Sequence, residues 1–346
     1  MKKLLFFVLI SCTLISCSHN KAENVENAFY YWKSDAGYLD KKEDSAVKNL
    51  RIHKLYVKFF EVESNAMMGN IPISKTDLGE YSWWSDNKLT MEIVPVVYLK
   101  NEVFLKSSKD EIDTLVSNVY HLIKKYEKEK FTKALPVSEI QMDCDWTLKS
   151  KDNYFYFLRQ LKKISGQQLS CTLRLYPYKY PEQMGVPPVD KAMLMCYNLI
   201  NPMERKDKNS ILDNEELSAY LDKERKYPVH LDIALPIYSW MHVFQNDHFT
   251  NVLYPENTIK KILKPVKPMW YEVTKDTVIN NAYLRVGDNV KFEEMNAAKI
   301  HEAIKIIKDH VVFDRNITVS LFHLDKNQLN NYNYETLSRF YSDFSK

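Results

Sequence analysis

The sequence alternates short apolar segments with helical segments along most of its length. Eight apolar segments have the length and residue types of buried strands, and most are followed by a helix-like segment. Strands separated by helices are typical of a parallel sheet covered by helices, and eight such units make a (β/α)8 barrel. The predicted strands are Ala28–Trp32, Arg51–Val62, Met91–Leu99, Ile140–Thr147, Leu169–Tyr176, Ala192–Leu199, Val229–Tyr238 and Ile317–Leu324.

The helices between these strands follow the same plan. Glu111–Lys130, Asp152–Ser165 and Asn296–His310 carry apolar residues at the spacing of an amphipathic helix. No linker and no internal repeat divides residues 28–346, so we predict an α/β fold, a single-domain TIM barrel. The segment Met269–Lys291 predicts a small insertion, a hairpin, before the last helix.

The N-terminus has the pattern of a signal peptide. Lys2 and Lys3 precede the apolar segment Leu4–Ile15, which is too short to span a bilayer. The segment ends in Leu-Ile-Ser-Cys, which resembles the lipobox of bacterial lipoproteins and makes Cys17 the predicted lipidation site, the first residue of the mature protein. The alternative is an ordinary secretory signal with a chance cysteine.

Acylation of Cys17 would anchor a folded domain to a membrane without a spanning helix. Ser18 follows the cysteine, which in lipoproteins is compatible with an outer-membrane destination. We therefore expect residues 1–17 to be a lipoprotein signal peptide, residues 18–27 a polar tether, and the protein to be lipid-anchored in the cell envelope.

The fourth predicted strand carries two carboxylates at alternate positions. Successive side chains of a strand point to opposite faces, so Asp143, Asp145 and Thr147 are expected on one face. Cys144 and Trp146 are expected on the other face, against helices. Buried carboxylates that lie close together raise one another's pKa unless cations or hydrogen-bond donors are nearby.

Active sites of such barrels lie at the C-terminal ends of the strands. Polar residues that interrupt the apolar segments there are candidate site residues, and Lys58 and Arg174 would supply the cations that two aspartates need. The alternative is a salt-bridge belt that only closes the barrel. The candidates are Lys58, Glu61, Asp143, Asp145, Arg174, Tyr197, Asn198, Asp232 and Tyr238.

Three motifs, in order, resemble the family-18 glycoside hydrolases, the chitinase-like enzymes. Their fourth strand carries Asp-x-x-Asp-x-Asp-x-Glu, and Asp143-Cys144-Asp145 is similar to its second half. Their sixth strand carries Met-x-Tyr-Asp, where this chain has Met195-Cys196-Tyr197-Asn198. Their next strand often reads Gly-x-Pro-x-Tyr-Gly, and residues 234–239 read Ala-Leu-Pro-Ile-Tyr-Ser.

The departures from the family pattern affect the chemistry. Thr147 stands where the family has its catalytic Glu, and Ile140 and Asn198 replace two of its aspartates. The third strand lacks Ser-x-Gly-Gly, and Phe322 stands where the last strand usually has Trp. A threonine hydroxyl cannot protonate a glycosidic oxygen as a carboxylic acid does. The resemblance therefore implies the scaffold and the substrate-orienting roles of Asp143, Asp145 and Tyr197, but not the intact mechanism.

The first functional hypothesis is a divergent glycoside hydrolase. Asp145 would be the orienting or nucleophilic carboxylate, flanked by Asp143, with Glu61 or Asp232 as the displaced acid. The second hypothesis is a glycan-binding lipoprotein that lost its acid, and the third is a structural lipoprotein without a ligand. The predicted substrate-binding residues are Lys58, Arg174, Tyr197, Asn198, Tyr238 and Trp240, and Trp83, Trp84 and Trp270 are further sugar-stacking candidates.

Other classes of function leave little trace in the sequence. A net charge of +3 without a basic stripe argues against nucleic acid as a partner, and six glycines leave few phosphate-binding loops. Cys144, Cys171 and Cys196 lie in apolar segments without metal-ligand spacing, which favours buried thiols, with a disulfide as the lesser alternative. We expect a monomer that binds a glycan and needs neither a cofactor nor a metal.

Overall fold

The computed structural model describes residues 21–33, 39–76, 91–130, 137–254, 259–279 and 282–345. The predicted signal peptide, Cys17, Trp83 and Trp84 lie outside these residues, so what the sequence indicates for them stays a prediction. Within the described ranges, no helix is both long enough and apolar enough to cross a membrane.

All eight predicted strands are present, although their bounds differ by a few residues. They belong to a longer series of strands that includes a hairpin and an insertion. In chain order the strands are β1 (Asn24–Tyr31), β2 (Lys54–Asn65), β3 (Gly69–Ile73), β4 (Glu92–Leu99), β5 (Glu139–Asp143), β6 (Gln168–Arg174), β7 (Lys191–Met195), β8 (His230–Pro236), β9 (Trp240–Gln245), β10 (His248–Leu253), β11 (Leu263–Lys267), β12 (Trp270–Val273), β13 (Thr277–Ile279), β14 (Ala282–Leu284), β15 (Asn289–Glu293) and β16 (Asn316–Phe322).

Eight of these strands close into a parallel barrel in the order β1, β16, β8, β7, β6, β5, β4 and β2, and the pairing of β1 with β2 completes the ring. Strand β3 pairs antiparallel with the end of β2, so this hairpin projects from the barrel. The apolar barrel strands are almost fully buried because helices cover the sheet. The predicted TIM barrel is confirmed.

Helices connect most of the barrel strands. Gly166, in the left-handed conformation at φ 63°, ends the helix that follows β5, and Asn296 caps the helix that precedes β16. The α-helices are α1 (Lys41–Asn49), α2 (Glu102–Leu105), α3 (Lys109–Lys130), α4 (Lys151–Ser165), α5 (Leu175–Lys179), α6 (Pro181–Met184), α7 (Asn214–Tyr220), α8 (Ala297–His310), α9 (Lys326–Leu329) and α10 (Tyr334–Ser342).

The barrel begins earlier than the sequence predicted. Residues 24–27, expected in the polar tether, form the first half of β1 and pair with the start of β16. The chain is already fixed before the strand, because the Ala22 amide donates to the Phe344 carbonyl at 3.0 Å and the Glu23 amide to the Arg315 carbonyl at 2.7 Å. Because three of residues 24–27 are polar (Asn24, Glu26 and Asn27), an apolar pattern did not reveal this part of the strand.

The insertion is larger than the predicted hairpin. It spans Trp240–Glu293 and forms a five-stranded antiparallel sheet in the order β10, β9, β15, β12 and β11, with the small hairpin of β13 and β14 beside it. Met241, Val243, Leu284 and Val290 belong to a hydrophobic core of its own. It follows β8 and therefore stands at the C-terminal end of the barrel, but α8, which comes next, is not the last helix.

Candidate functional site

The acidic segment extends past the end of its strand. Asp143 ends β5, and Asp145 and Thr147 lie in the loop before α4. The predicted alternation is nevertheless confirmed, since Asp145 and Thr147 are exposed whereas Cys144 and Trp146 are buried. The two carboxylates therefore reach the C-terminal mouth of the barrel, where active sites of this fold lie.

Asp143 lies in the wall of the barrel mouth. Its carboxylate accepts a hydrogen bond of 2.6 Å from the Thr172 hydroxyl on β6. Desolvation, followed by the charge of Asp145, raises the pKa of Asp143 to about 7, although Thr172 and the Arg174 guanidinium oppose the rise. Asp143 is therefore partly protonated at neutral pH, an unusual state for an aspartate.

Asp145 is the more accessible carboxylate. Its Oδ1 lies 3.2 Å from Nε of Arg174, and its side chain is 54% exposed. Arg174 ends β6 and also donates from Nη2 to the carbonyl of Asn198, at 3.3 Å. The guanidinium therefore links the acidic segment after β5 to the loop after β7, as the sequence predicted for a cation near the aspartates.

Lys58 and Glu61 form a second ion pair at the mouth. Residues three apart in a regular strand point to opposite faces, but a bulge between Lys58 and Phe60 adds one residue. Both side chains therefore reach the same side, and Nζ of Lys58 lies 2.8 Å from Oε1 of Glu61. Glu61 is in register with Tyr98 on β4, which is in register with Asp143.

Aromatic side chains form the other half of the mouth. The Trp32 ring, after β1, lies 5.9 Å from the Phe322 ring at the end of β16, and the Lys58 ammonium lies 5.7 Å from the Trp32 centroid. Phe322 also contacts Tyr197 at 5.4 Å and Tyr238 at 5.6 Å. Together with the ion pairs, these rings complete a circle around the barrel opening.

The insertion supports this aromatic half. The hydroxyl of Tyr238 donates to Oδ1 of Asn198, whose backbone is in the left-handed region at φ 53°. The Trp240 ring packs edge-on against Tyr238 at 5.4 Å, and its indole N–H donates to the fully buried carboxylate of Glu293. Glu293 also accepts from the amide and hydroxyl of Ser210, at 2.8 and 2.6 Å. This fixes Trp240 at the edge of the mouth.

Asp232 does not join the other candidates. It lies near the start of β8, at the opposite end of the barrel, where its oxygens contact the Thr318 amide at 2.6 Å and His230 at 3.1 Å. Lys191 is 3.4 Å away. Although burial alone would raise the pKa of Asp232, His230, Lys191 and the Thr318 amide hold it below its usual range. An ionised carboxylate at this end cannot serve as the displaced acid.

The structure thus brings together nine of the ten predicted catalytic and substrate-binding residues, all except Asp232. It also adds four residues that the sequence did not predict as site residues, although Phe322 was noted as a departure from the family pattern. Trp32 and Phe322 directly follow or end apolar strands, and aromatic residues at strand ends were the available signal. Tyr98 and Thr172 had no such signal, because only the strand register places them beside Asp143.

A cavity of about 780 Å³ opens beside the mouth and is lined by both Asp145 and Arg174. Most of its remaining wall is apolar, from Trp146, Leu148 and Tyr176 among others. Its volume lies in the range of small-molecule sites. Among the described residues, no group of three or more His, Cys, Asp or Glu side chains is placed to hold a metal ion.

Thr147 lines the same cavity. Its amide donates to Oγ of Ser150 at 2.9 Å, and the two hydroxyl oxygens lie 3.3 Å apart. Ser150, which is buried, donates in turn to Oδ1 of Asn101 at 2.5 Å. Thr147 therefore belongs to a network of neutral groups that holds the loop before α4.

Comparison with solved structures identifies the same fold in the chitinase-like proteins. A chitinase-like agglutinin from Robinia pseudoacacia aligns over 91% of this chain and 99% of its own, with a TM-score of 0.54 and 11% identity. This chain has the barrel fold of the chitinase-like proteins. The spore cortex-lytic enzyme of Bacillus cereus aligns over 92% and 75% of the two chains, with a TM-score of 0.48 and 14% identity. No family model and no curated protein matches the sequence.

The three cysteines within the described residues, Cys144, Cys171 and Cys196, are free and buried. Burial raises the pKa values of the Cys144, Cys171 and Cys196 thiols, which keeps them protonated. The interpretation as small buried hydrophobes is confirmed, and the alternative of a disulfide between two of them is wrong. None of these thiols takes part in the candidate site.

Proposed function

We propose that this protein is a glycan-binding lipoprotein that binds an oligosaccharide at the barrel mouth without cleaving it. The observation that carries the proposal concerns Thr147, the residue that the family resemblance places at the catalytic Glu. Both its amide and its hydroxyl contact Oγ of Ser150. Asp145 is the one carboxylate among the described residues that line the cavity, and it is paired with Arg174. A carboxylate paired with a guanidinium and a neighbouring hydroxyl can orient a sugar, but a threonine hydroxyl does not protonate a leaving group as a carboxylic acid does.

The ring of aromatic side chains supports carbohydrate as the ligand. Trp32 and Trp240 are half-buried aromatic side chains at the mouth, and the buried Tyr238 packs against Trp240 and holds the Asn198 side chain through its hydroxyl. The barrel is shared with a chitinase-like agglutinin, so the fold is compatible with carbohydrate binding. The third hypothesis, a purely structural role, does not account for the open cavity.

The test is a glycan array probed with the full chain in detergent, scored for binding and for release of reducing sugar. We expect binding without release, and we expect Asp145→Asn to weaken binding. Asp309→Asn, at an exposed position on α8, is the matched control and should bind like the wild type. Sugar release by the wild type that Asp145→Asn abolishes would contradict the proposal.

One observation favours hydrolysis as a second candidate. Asp143 has a pKa of about 7, so a fraction of its carboxyl groups carries a proton at neutral pH, as a general acid requires. Glu61 is less suited to that role because its carboxylate is engaged in an ion pair with Lys58, at 2.8 Å. If release is seen on the array, Asp143→Asn should abolish it while binding persists.

The proposed place of action is the cell envelope, with Cys17 lipidated and the outer membrane as the destination. The support is the lipobox-like sequence that ends at Cys17. Cys17→Ser should move the protein from the membrane fraction to the soluble fraction, whereas Cys12→Ser should leave it membrane-bound. Unchanged fractionation of Cys17→Ser would contradict the anchor.

A further inference from the structure

The cavity beside the mouth has an excess of positive charge. Its charged lining consists of Asp145, Arg174 and Lys149, two cations and one anion. Asp145 and Arg174 offset each other through their 3.2 Å contact. Lys149 is exposed and makes no hydrogen bond or ion pair with any residue in the described part of the chain. A ligand in the cavity would therefore contact an ammonium group whose charge no neighbouring carboxylate of the described residues neutralises.

The rest of the wall limits what an anionic ligand can be. Leu105, Leu148 and Tyr176 are between 41% and 57% exposed, and Trp146 and Met184 lie behind them. A free inorganic anion would gain nothing from these apolar faces. A pyranose ring has apolar faces of its own and can carry an acidic group at its rim. The lining therefore complements a ring with an attached anion.

From this complementarity we infer that the glycan bound in the cavity is acidic, with a carboxylate or sulfate group placed at Lys149 and Arg174. The inference rests on the proposed function and narrows its ligand class. The planar guanidinium of Arg174 matches either group through paired hydrogen bonds, and the Lys149 ammonium adds a point charge. The apolar wall contacts the sugar ring.

The experiment uses an array on which every acidic probe stands beside a neutral counterpart. The probes are oligogalacturonate with its methyl ester, a muramic-acid-containing peptidoglycan fragment with its carboxyl-reduced form, and a carrageenan fragment, whose acidic groups are sulfates alone, with its desulfated form. Chitotetraose is a further neutral probe. The full chain in detergent is compared with Lys149→Gln, with Lys149→Arg, and with Lys163→Gln on the exposed side of α4.

We expect at least one acidic probe to bind about tenfold to a hundredfold more tightly than its neutral counterpart, as one charged hydrogen bond provides. Lys149→Gln should remove most of that difference, Lys149→Arg should retain it, and Lys163→Gln should leave it unchanged. Added salt should weaken only the acidic probes. The carboxylate and sulfate pairs distinguish the two acidic groups.

Three results would overturn the inference, and they differ in what else they contradict. Equal binding of acidic probes and their neutral counterparts, or binding of chitotetraose alone, would refute an acidic ligand and leave a glycan-binding protein. An array on which no probe binds would refute both the acidic ligand and the proposed function. An acid preference that survives in Lys149→Gln would place the anion elsewhere in the protein and refute the assigned position.

Discussion

The guanidinium of Arg174 lies 3.2 Å from the Asp145 carboxylate and 3.3 Å from the Asn198 carbonyl, and so joins the ends of two barrel strands. We predict that Arg174→Leu weakens glycan binding about tenfold to a hundredfold, because it removes charged hydrogen bonds. Its effect on the free energy of unfolding should stay below about 1 kcal/mol, since the pair is partly exposed. Arg159→Leu, at an exposed position on α4, is the matched control, to be compared by array binding and urea unfolding.

The raised pKa of Asp143 predicts a pH dependence of stability. Its folded-state pKa of about 7 exceeds the usual 3.8, so the folded protein holds a proton that the unfolded chain releases. The contribution of Asp143 to the free energy of unfolding is therefore greatest below about pH 4. It falls by up to about 4 kcal/mol as the pH rises toward about 7. Asp143→Asn should remove this loss, so its free energy of unfolding relative to wild type should be higher at pH 8 than at pH 5. Equal differences at both pH values would contradict the assignment.

The buried pair of Lys291 and Glu293 should be essential to the insertion. Both side chains are fully buried, and Nζ of Lys291 lies 2.7 Å from Oε1 of Glu293. Glu293→Gln would leave the lysine charge buried without its partner, at a cost of about 3–5 kcal/mol in the free energy of unfolding. Glu294→Gln is the matched control, because Glu294 is 53% exposed and its change should cost no more than about 0.5 kcal/mol. Similar urea midpoints for the two variants would refute this prediction.

Thr147→Glu tests the proposal that the protein does not cleave a glycan because position 147 lacks a carboxylic acid. Thr147 is exposed in the cavity wall, so a glutamate fits there and should change stability by no more than about 0.5 kcal/mol. We expect this variant to release sugar slowly from a probe that the wild type only binds, because a carboxylic acid would then stand near Asp145. Thr147→Gln has nearly the same shape without the acid and should release none. Release at equal rates by both variants would contradict the role assigned to position 147.

The barrel was predictable because its strands are buried on both faces and their apolar segments stand out in the sequence. The alternation after β5 was also predictable, since Asp145 and Thr147 remain exposed and Trp146 buried beyond the end of the strand. The insertion was harder to predict. Its strand β10 is almost entirely exposed and carries no apolar face, so only its pairing with β9 defines it as a strand.

The composition of the site depended on features that a sequence pattern does not show. Asp232 and Asp143 each lie in an apolar strand, but Asp232 is near the beginning of its strand and Asp143 at the end, which places them at opposite ends of the barrel. The contact between Lys58 and Glu61 depends on a bulge, and the contact of Asp143 with Thr172 on strand register. Position along the strand decides the first case, and register decides the other two.

The hydrogen bonds of Ala22 and Glu23 determine which way an anchored molecule faces. They hold the start of the chain at the N-terminal end of the barrel, opposite the cavity. With Cys17 acylated, as proposed, the chain segment from Cys17 to Ala22 can span at most about 18 Å. The barrel would then stand on the bilayer with the N-terminal ends of its strands toward the membrane and its mouth directed outward. Such a molecule reaches polymers that approach from the far side of its compartment, and not the headgroups of the membrane that holds it.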